Sequence, residues 1–340
     1  MNKLKKIINS SIIRWFFLAV ALAGLLWVII KNWGSLTKAL ATLPWQIAVA
    51  SFVLAVVYVF FTMWSWRVIL ADLGSTLNWN TSIQLFGLSQ IGKYIPGGVW
   101  NIVAAAEIGR DHEIPARRSV TAMTVAVLIS LLSGAGIGVI TVLSTSVSIQ
   151  VPTWLIVLLL AILVALLMPP VLNRLIGLGF KLLKRPAPER QITFKGLGLA
   201  TLLAVIAWII AGVQIWLLAC GFGMQPSAYG MALSIGAYAL AWIVGFLVVF
   251  VPAGTGVREG VLGLFFTSTL TSGGVLAVVL VSRIAMTFAD LLFAAVGILL
   301  RMKNSSPSLM FLEKRCCCIF YRAFFSIGIE LKSDCRVCRD

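Results

Sequence analysis

Lys93 precedes the turn residues Pro96, Gly97 and Gly98, and Arg258 and Glu259 follow Pro252, Gly254, Thr255 and Gly256; both groups lie in otherwise apolar sequence. A helix that starts in such surroundings presents unpaired N–H groups and the positive end of its dipole. Two such starts are expected, after Gly98 and after Gly256, the second with Thr255 as N-cap. With Lys93 and Arg258 beside them they make an anion site, and a phosphate satisfies both the helix ends and the cations. The candidate binding residues are Lys93, Gly97, Gly98, Gly254, Thr255, Gly256 and Arg258. Pro96, Pro252, Glu107, Glu259, Arg283 and Asp290 take structural or coupling roles. Arg283 and Asp290 stand seven residues apart on one helix face. Ion pairs with other residues are their expected use, and a coupled proton on Asp290 is the alternative. The structural reading of the two cations has Lys93 snorkelling to the interface and Arg258 pairing with Glu259 or Glu107. Tyr94, Trp100 and Asn101 read as packing and hydrogen-bonding groups.

The elements that hold these residues are long and apolar. Of the 340 residues 60% are hydrophobic and 11% charged, with a mean hydropathy of +1.03. Spans are expected at 12–30, 45–70, 118–145, 152–173, 197–221, 228–251 and 274–300, since a bilayer crossing takes about 20 helical residues. The fold class is therefore all-α, a polytopic integral membrane protein; alternating strand-sized segments of the β-barrel kind are absent from the sequence. The run at 12–30 follows Lys3, Lys5, Lys6 and Arg14 as a retained signal anchor does. Pro169 and Pro170 read as a kink or stop, and Gly134 and Gly138 as a close-packing face.

Basic residues sort the connectors. Four lie at the N-terminus, six from Arg174 to Lys195 and eight from Arg301 onward, whereas 144–152 and 220–227 carry no charge. By the positive-inside rule both termini are cytoplasmic. The connector from Lys31 to Pro44 reads as an external loop. Residues 81–109 must then enter and return on one side, because arms of about 22 Å and 16 Å cannot cross about 30 Å of hydrocarbon. Residues 228–272 begin and end outside, as a pair of spans or, preferably, a re-entrant hairpin. Span, broken hairpin and span thus occur twice, at about 45–145 and 197–300, in opposite orientations. Such inverted repeats place a substrate site near the midplane, at the breaks.

The net charge of +16 belongs to topology and does not call for nucleic acid. No cofactor and no metal are expected. The single histidine, His112, sits with Asp111 and Glu113 in a charged connector, and neighbouring residues converge poorly on an ion. No histidine-based triad can be assembled. Residues 1–300 form the membrane domain. Residues 301–340 form a basic tail with five of the six cysteines, not expected to fold; Lys314, Arg315 and Arg322 can rest on anionic headgroups.

The stretch "GKYIPGGVW" with a later "PAGTGVREG" resembles the flippase-like membrane family that includes the transmembrane half of lysylphosphatidylglycerol synthase, over about residues 10–300. Lys93, Pro96, Gly97 and Gly98 match the first motif, and Pro252, Gly254, Gly256, Arg258 and Glu259 the second. The resemblance implies an inner-membrane protein with paired inverted repeats that moves or presents lipid-linked anionic substrates. The synthases append a soluble aminoacyl-transferase domain, whereas about 40 residues follow the last span here, so lysyl transfer is not expected. The expected function is translocation of an anionic lipid or lipid-linked phosphate, without enzyme activity. Membrane lipids are the expected partners, with a lipid-modifying enzyme or glycosyltransferase beside them. The alternatives are a non-transporting partner that presents lipid to such an enzyme, and an integral membrane transferase.

Overall fold

The computed structural model describes residues 30, 33–94, 99–144, 153–182, 184, 186–248 and 254–304. The run at 12–30, Pro96, Gly97, Gly98, Pro252 and the cysteine-rich segment from 305 lie outside the described residues. Within them the order is α1 (Trp33–Thr42), α2 (Trp45–Asp72), α3 (Trp79–Gln90), a 3-10 turn (Ile91–Tyr94), α4 (Trp100–Arg110), α5 (Ala116–Ser144), α6 (Thr153–Leu166), α7 (Pro169–Leu182), α8 (Phe194–Gly221), α9 (Ala228–Leu247), α10 (Val257–Leu264) and α11 (Ser272–Asn304), with no strand. Five of them, α2, α5, α8, α9 and α11, are long and apolar enough to cross a membrane. This is an integral membrane protein.

The helices start where polar side chains replace missing backbone partners. Asn78, Thr193 and Ser227 accept hydrogen bonds from the amides of Thr81, Gly196 and Gly230 at 2.7, 3.0 and 3.0 Å, opening α3, α8 and α9. Arg67 donates to the Leu77 carbonyl at 2.7 and 3.1 Å and lies 4.1 Å over the Trp79 ring, which fixes the turn from α2 into α3.

Small residues bring the central helices together. Ala200, Ala204, Ala207 and Ala211 are buried along α8, where it packs on α2, and their size lets two backbones approach. Ser65 donates to the Ala200 carbonyl at 2.8 Å and Gln214 to the Ser51 hydroxyl at 3.1 Å, polar links placed where lipid offers none. Around this pair, α3 packs on α11 and α9 packs on α5. Exchanging α2 with α8, α3 with α9 and α5 with α11 maps these pairings onto themselves.

Three differences from expectation have physical causes. The stretch read as an external loop contains a helix, α1, which packs on α11; it is too short and polar for a span signal, and among its described side chains only Leu36, 3% exposed, is buried. The span expected at 152–173 is two helices bent by 65° at Leu167 and Met168, because Pro169 opens a helix far better than it continues one. Over 228–272 the two-span option fails, since α10 has eight residues, about 12 Å.

The basic connectors meet at one end of the bundle. Glu189 pairs with Arg117 and, at 3.3 Å, with Arg118. Asp72 accepts from the Thr193 amide at 2.7 Å and hydroxyl at 2.9 Å, and Arg301 lies 3.1 Å from Asp111. Next to that pair, His112 is partly withdrawn from water, and this desolvation lowers its pKa; Asp111 opposes the shift and Arg301 adds to it. Because His112 is the only histidine, its imidazole resonances report this junction alone. Their titration midpoint is expected below the ordinary value of about 6.5, and lower still in Asp111→Asn. The neutral ring favours folding, so its contribution is complete above the unfolded midpoint and lost as pH falls from there through the lower folded one. A midpoint at or above the ordinary value contradicts the burial.

Candidate binding site

Residues on either side of both breaks line one cavity of about 180 Å³, whose walls come from α2, α3, the 3-10 turn, α4, α5, α8, α9, α10 with its lead-in, and α11. Close backbone approach shapes it on both sides. A side chain at Gly92 would collide with the backbone of Trp100 and Asn101, so the arms of the first hairpin cross there. At the second break Gly254, with φ +67°, lies against the Gly245 backbone. Only glycine suits that position on both counts.

Lys93, Arg258, Arg283 and Asp290 all line this cavity, although they are spread over nearly 200 positions of sequence. Lys93 Nζ lies 2.6 Å from Asp290 Oδ2, and the Tyr94 hydroxyl donates to the same oxygen at 2.7 Å. The packing of α3 against α11 creates this contact by laying the end of the first hairpin along the last helix. Arg283 Nε lies 3.4 Å from Glu259 Oε1 and its Nη2 donates to the Thr255 hydroxyl at 3.2 Å. Arg258, partly buried, carries its guanidinium 4.6 Å over the Tyr238 ring, a cation–π contact. Among the described residues Arg258 forms no ion pair. The expected pairing of Arg258 with Glu259 or Glu107 is therefore corrected. Glu259 serves Arg283, and Glu107 makes a half-exposed pair with Arg110 at 3.2 Å on α4, outside the cavity wall.

The start of α10 also differs from expectation. Gly256, at φ +84°, is the N-cap, and Glu259 reaches back three residues to accept from its amide at 2.5 Å. Thr255 turns its hydroxyl to Arg283 instead. A carboxylate already occupies the positive end of this short helix, so the Gly256 amide is not free for an anion. The cationic character of the second break resides in Arg258.

Glu259 thus joins helix start and Arg283, and it is 7% exposed. Glu259→Gln keeps an acceptor for the Gly256 amide but leaves Arg283 without its counter-charge. The expected cost is about 2 kcal/mol, below the range for fully buried pairs because Arg283 retains some access to water. Thermal unfolding in detergent measures it, and an unchanged midpoint removes the pairing from the account.

Comparison with known families matches residues 14–294 to the lysylphosphatidylglycerol synthase TM region. The chain belongs to that family. No curated protein matches it. The lysylphosphatidylglycerol synthase TM region, as matched here, contains both breaks and every residue that lines the cavity. Membership supports a role in handling membrane lipid.

Within this family region the aromatic wall is the part that sequence reasoning missed. Tyr58 lies 6.4 Å from Trp208 and 6.1 Å from Tyr238, Trp208 lies 5.4 Å from Trp242, and Trp242 stacks on Phe246 at 5.3 Å. Trp208 is oriented by its Nε1, which donates to the Ser133 hydroxyl at 3.1 Å. Tyr238, Trp242 and Phe246 recur every four residues, a stripe along one face of α9 that was available in the sequence. Asn101 and Tyr94, read as packing groups, both reach the cavity.

Proposed function

We propose that this protein binds the phosphate of an anionic lipid or lipid-linked substrate in the central cavity and moves it across the cytoplasmic membrane. The observation that carries the reading is the meeting of both broken hairpins at one cavity where Arg258 has an aromatic seat and no carboxylate partner. A phosphate supplies the missing anion and fits the fork of a guanidinium. The cavity is smaller than the roughly 300–1,000 Å³ of sites that enclose whole small molecules. It holds the polar part of a lipid, and the tails stay in the bilayer. In this proposal the two halves have opposite orientations, both termini are cytoplasmic, and one half rocks against the other around the site. Release requires weaker binding in at least one state, since equal affinity everywhere shifts nothing. The role is carriage of the lipid without covalent chemistry.

The test is reconstitution of the full chain into vesicles that contain a headgroup-labelled fluorescent phosphatidylglycerol, with a membrane-impermeant quencher added outside. Quenching beyond the outer-leaflet fraction, faster than in protein-free vesicles, is the expected result. Quenching that stops at the outer leaflet favours the non-transporting role of presenting lipid to an enzyme.

A further inference from the structure

Charge around the cavity is out of balance by one. Asp290 matches Lys93 and Glu259 matches Arg283, which leaves Arg258 as the surplus cation among the described residues. The segments 95–98 and 249–253 at the two breaks contain no ionisable residue and leave the sum unchanged. A second observation concerns the same space. Asp290 Oδ2 takes both Lys93 and Tyr94, while Asp290 Oδ1 is buried with no hydrogen-bond partner. The Tyr238 hydroxyl is buried against Arg258 and Tyr58. A buried carboxylate oxygen without a partner calls for an explanation, and this one belongs to a residue of the cavity wall.

We infer that Asp290 sets the charge of the anion the cavity accepts, so that the site takes a singly charged phosphodiester in preference to a doubly charged phosphomonoester. This inference rests on the lipid-binding reading above. With Asp290 ionised, one negative charge on the ligand brings the site to neutrality. A second would stay uncompensated between Trp208, Trp242 and Phe246, where apolar walls raise the energy of an unmatched charge. The free Asp290 oxygen acts in the same direction. It repels added phosphate charge and accepts a hydrogen bond from a hydroxyl or ammonium on the headgroup. The ligand class is thus a phosphodiester lipid whose headgroup carries a donor. Lys93 contributes less to selection than its place at the break suggests, because Asp290 already neutralises it.

The experiment offers the full chain, in detergent at about pH 8.5, equal amounts of dioleoyl phosphatidylglycerol and dioleoyl phosphatidic acid. At that pH a phosphomonoester carries close to two negative charges. Native mass spectrometry then counts each lipid retained. Wild type should keep the phosphodiester over the phosphomonoester by about tenfold, the scale of one unmatched charge in a partly wet site. Asp290→Asn raises the surplus to two and should reverse the order, while Asp290→Glu should preserve it. Should Asp290→Asn fail to fold, Arg258→Gln supplies the complementary reading. It removes the surplus and should abolish the preference for phosphatidylglycerol over uncharged dioleoylglycerol; a surviving preference overturns the inference. Retention of both anions without preference, or an unchanged order in Asp290→Asn, overturns the inference alone. If wild type keeps neither lipid, the lipid-binding reading falls and takes this inference with it.

Discussion

Replacing Arg258 by glutamine should slow lipid movement in reconstituted vesicles by about 10- to 100-fold, the range for loss of one charge-assisted hydrogen bond at a buried site. Three features combine to give so large an effect. Arg258 lies inside the cavity, seats its charge on Tyr238 and forms no ion pair among the described residues. Its removal therefore strands no carboxylate. The usual penalty for breaking a buried pair does not arise, and Arg258→Gln should fold and run as wild type on size exclusion. Arg258→Lys is an informative companion, since it retains the charge but loses the planar fork and the ring contact; an intermediate rate is expected. A pure scaffold would tolerate both substitutions. Wild-type rates in a well-folded Arg258→Gln protein would remove phosphate binding by this residue from the mechanism.

Gly87→Val should cost about 3 kcal/mol of stability, the upper part of the range for overpacking a close contact. A Cβ at position 87 would meet the backbone carbonyl of Phe293 on α11, and backbone cannot swing aside as a side chain can. The whole of α3 must retreat from α11. Since that contact holds Lys93 beside Asp290, the ion pair and the Tyr94 hydrogen bond are strained together with the packing. Gly136→Ala on α5 is the control, because nothing lies within 4 Å of its added Cβ, and it should be neutral or slightly stabilising. Thermal unfolding followed by loss of the monodisperse peak compares the two. Similar midpoints for Gly87→Val and wild type would mean that the hairpin is not gripped by α11.

The long helices were legible because apolar length is a one-dimensional signal. The expected spans 45–70, 118–145, 197–221 and 274–300 correspond to α2, α5, α8 and α11, and the Pro-Gly stretches marked both places where the ladder stops. Partner choice was not legible. Lys93 finds Asp290 through the contact of α3 with α11, a relation between segments almost 200 residues apart that no local pattern encodes. The cap of α10 could have been read: glycine followed three residues later by glutamate is the spacing of a reciprocal cap, but the hydroxyl of Thr255 drew attention one position too early. The α9 stripe of Tyr238, Trp242 and Phe246 was hidden for another reason. In membrane sequence aromatics are equally at home facing lipid, and only the direction of the helix face separates a wall from a surface. The bend before Pro169 was visible as a stop, yet its angle depends on what α7 meets, and Asn173 meets the Ile192 backbone at 2.9 and 3.0 Å.

That bent pair has a consequence for how the molecule is assembled. Between α5 and α8 the chain passes through α6, which packs on α5 and on α7 and presents Trp154, Val157, Leu158 and Ile162 outward. The interfaces α2 with α8, α3 with α11 and α5 with α9 join helices before the bend to helices after it without using α6. Two polypeptides separated between α5 and α6 are therefore expected to reassemble in the bilayer, which co-purification of the two pieces through a tag on one of them measures.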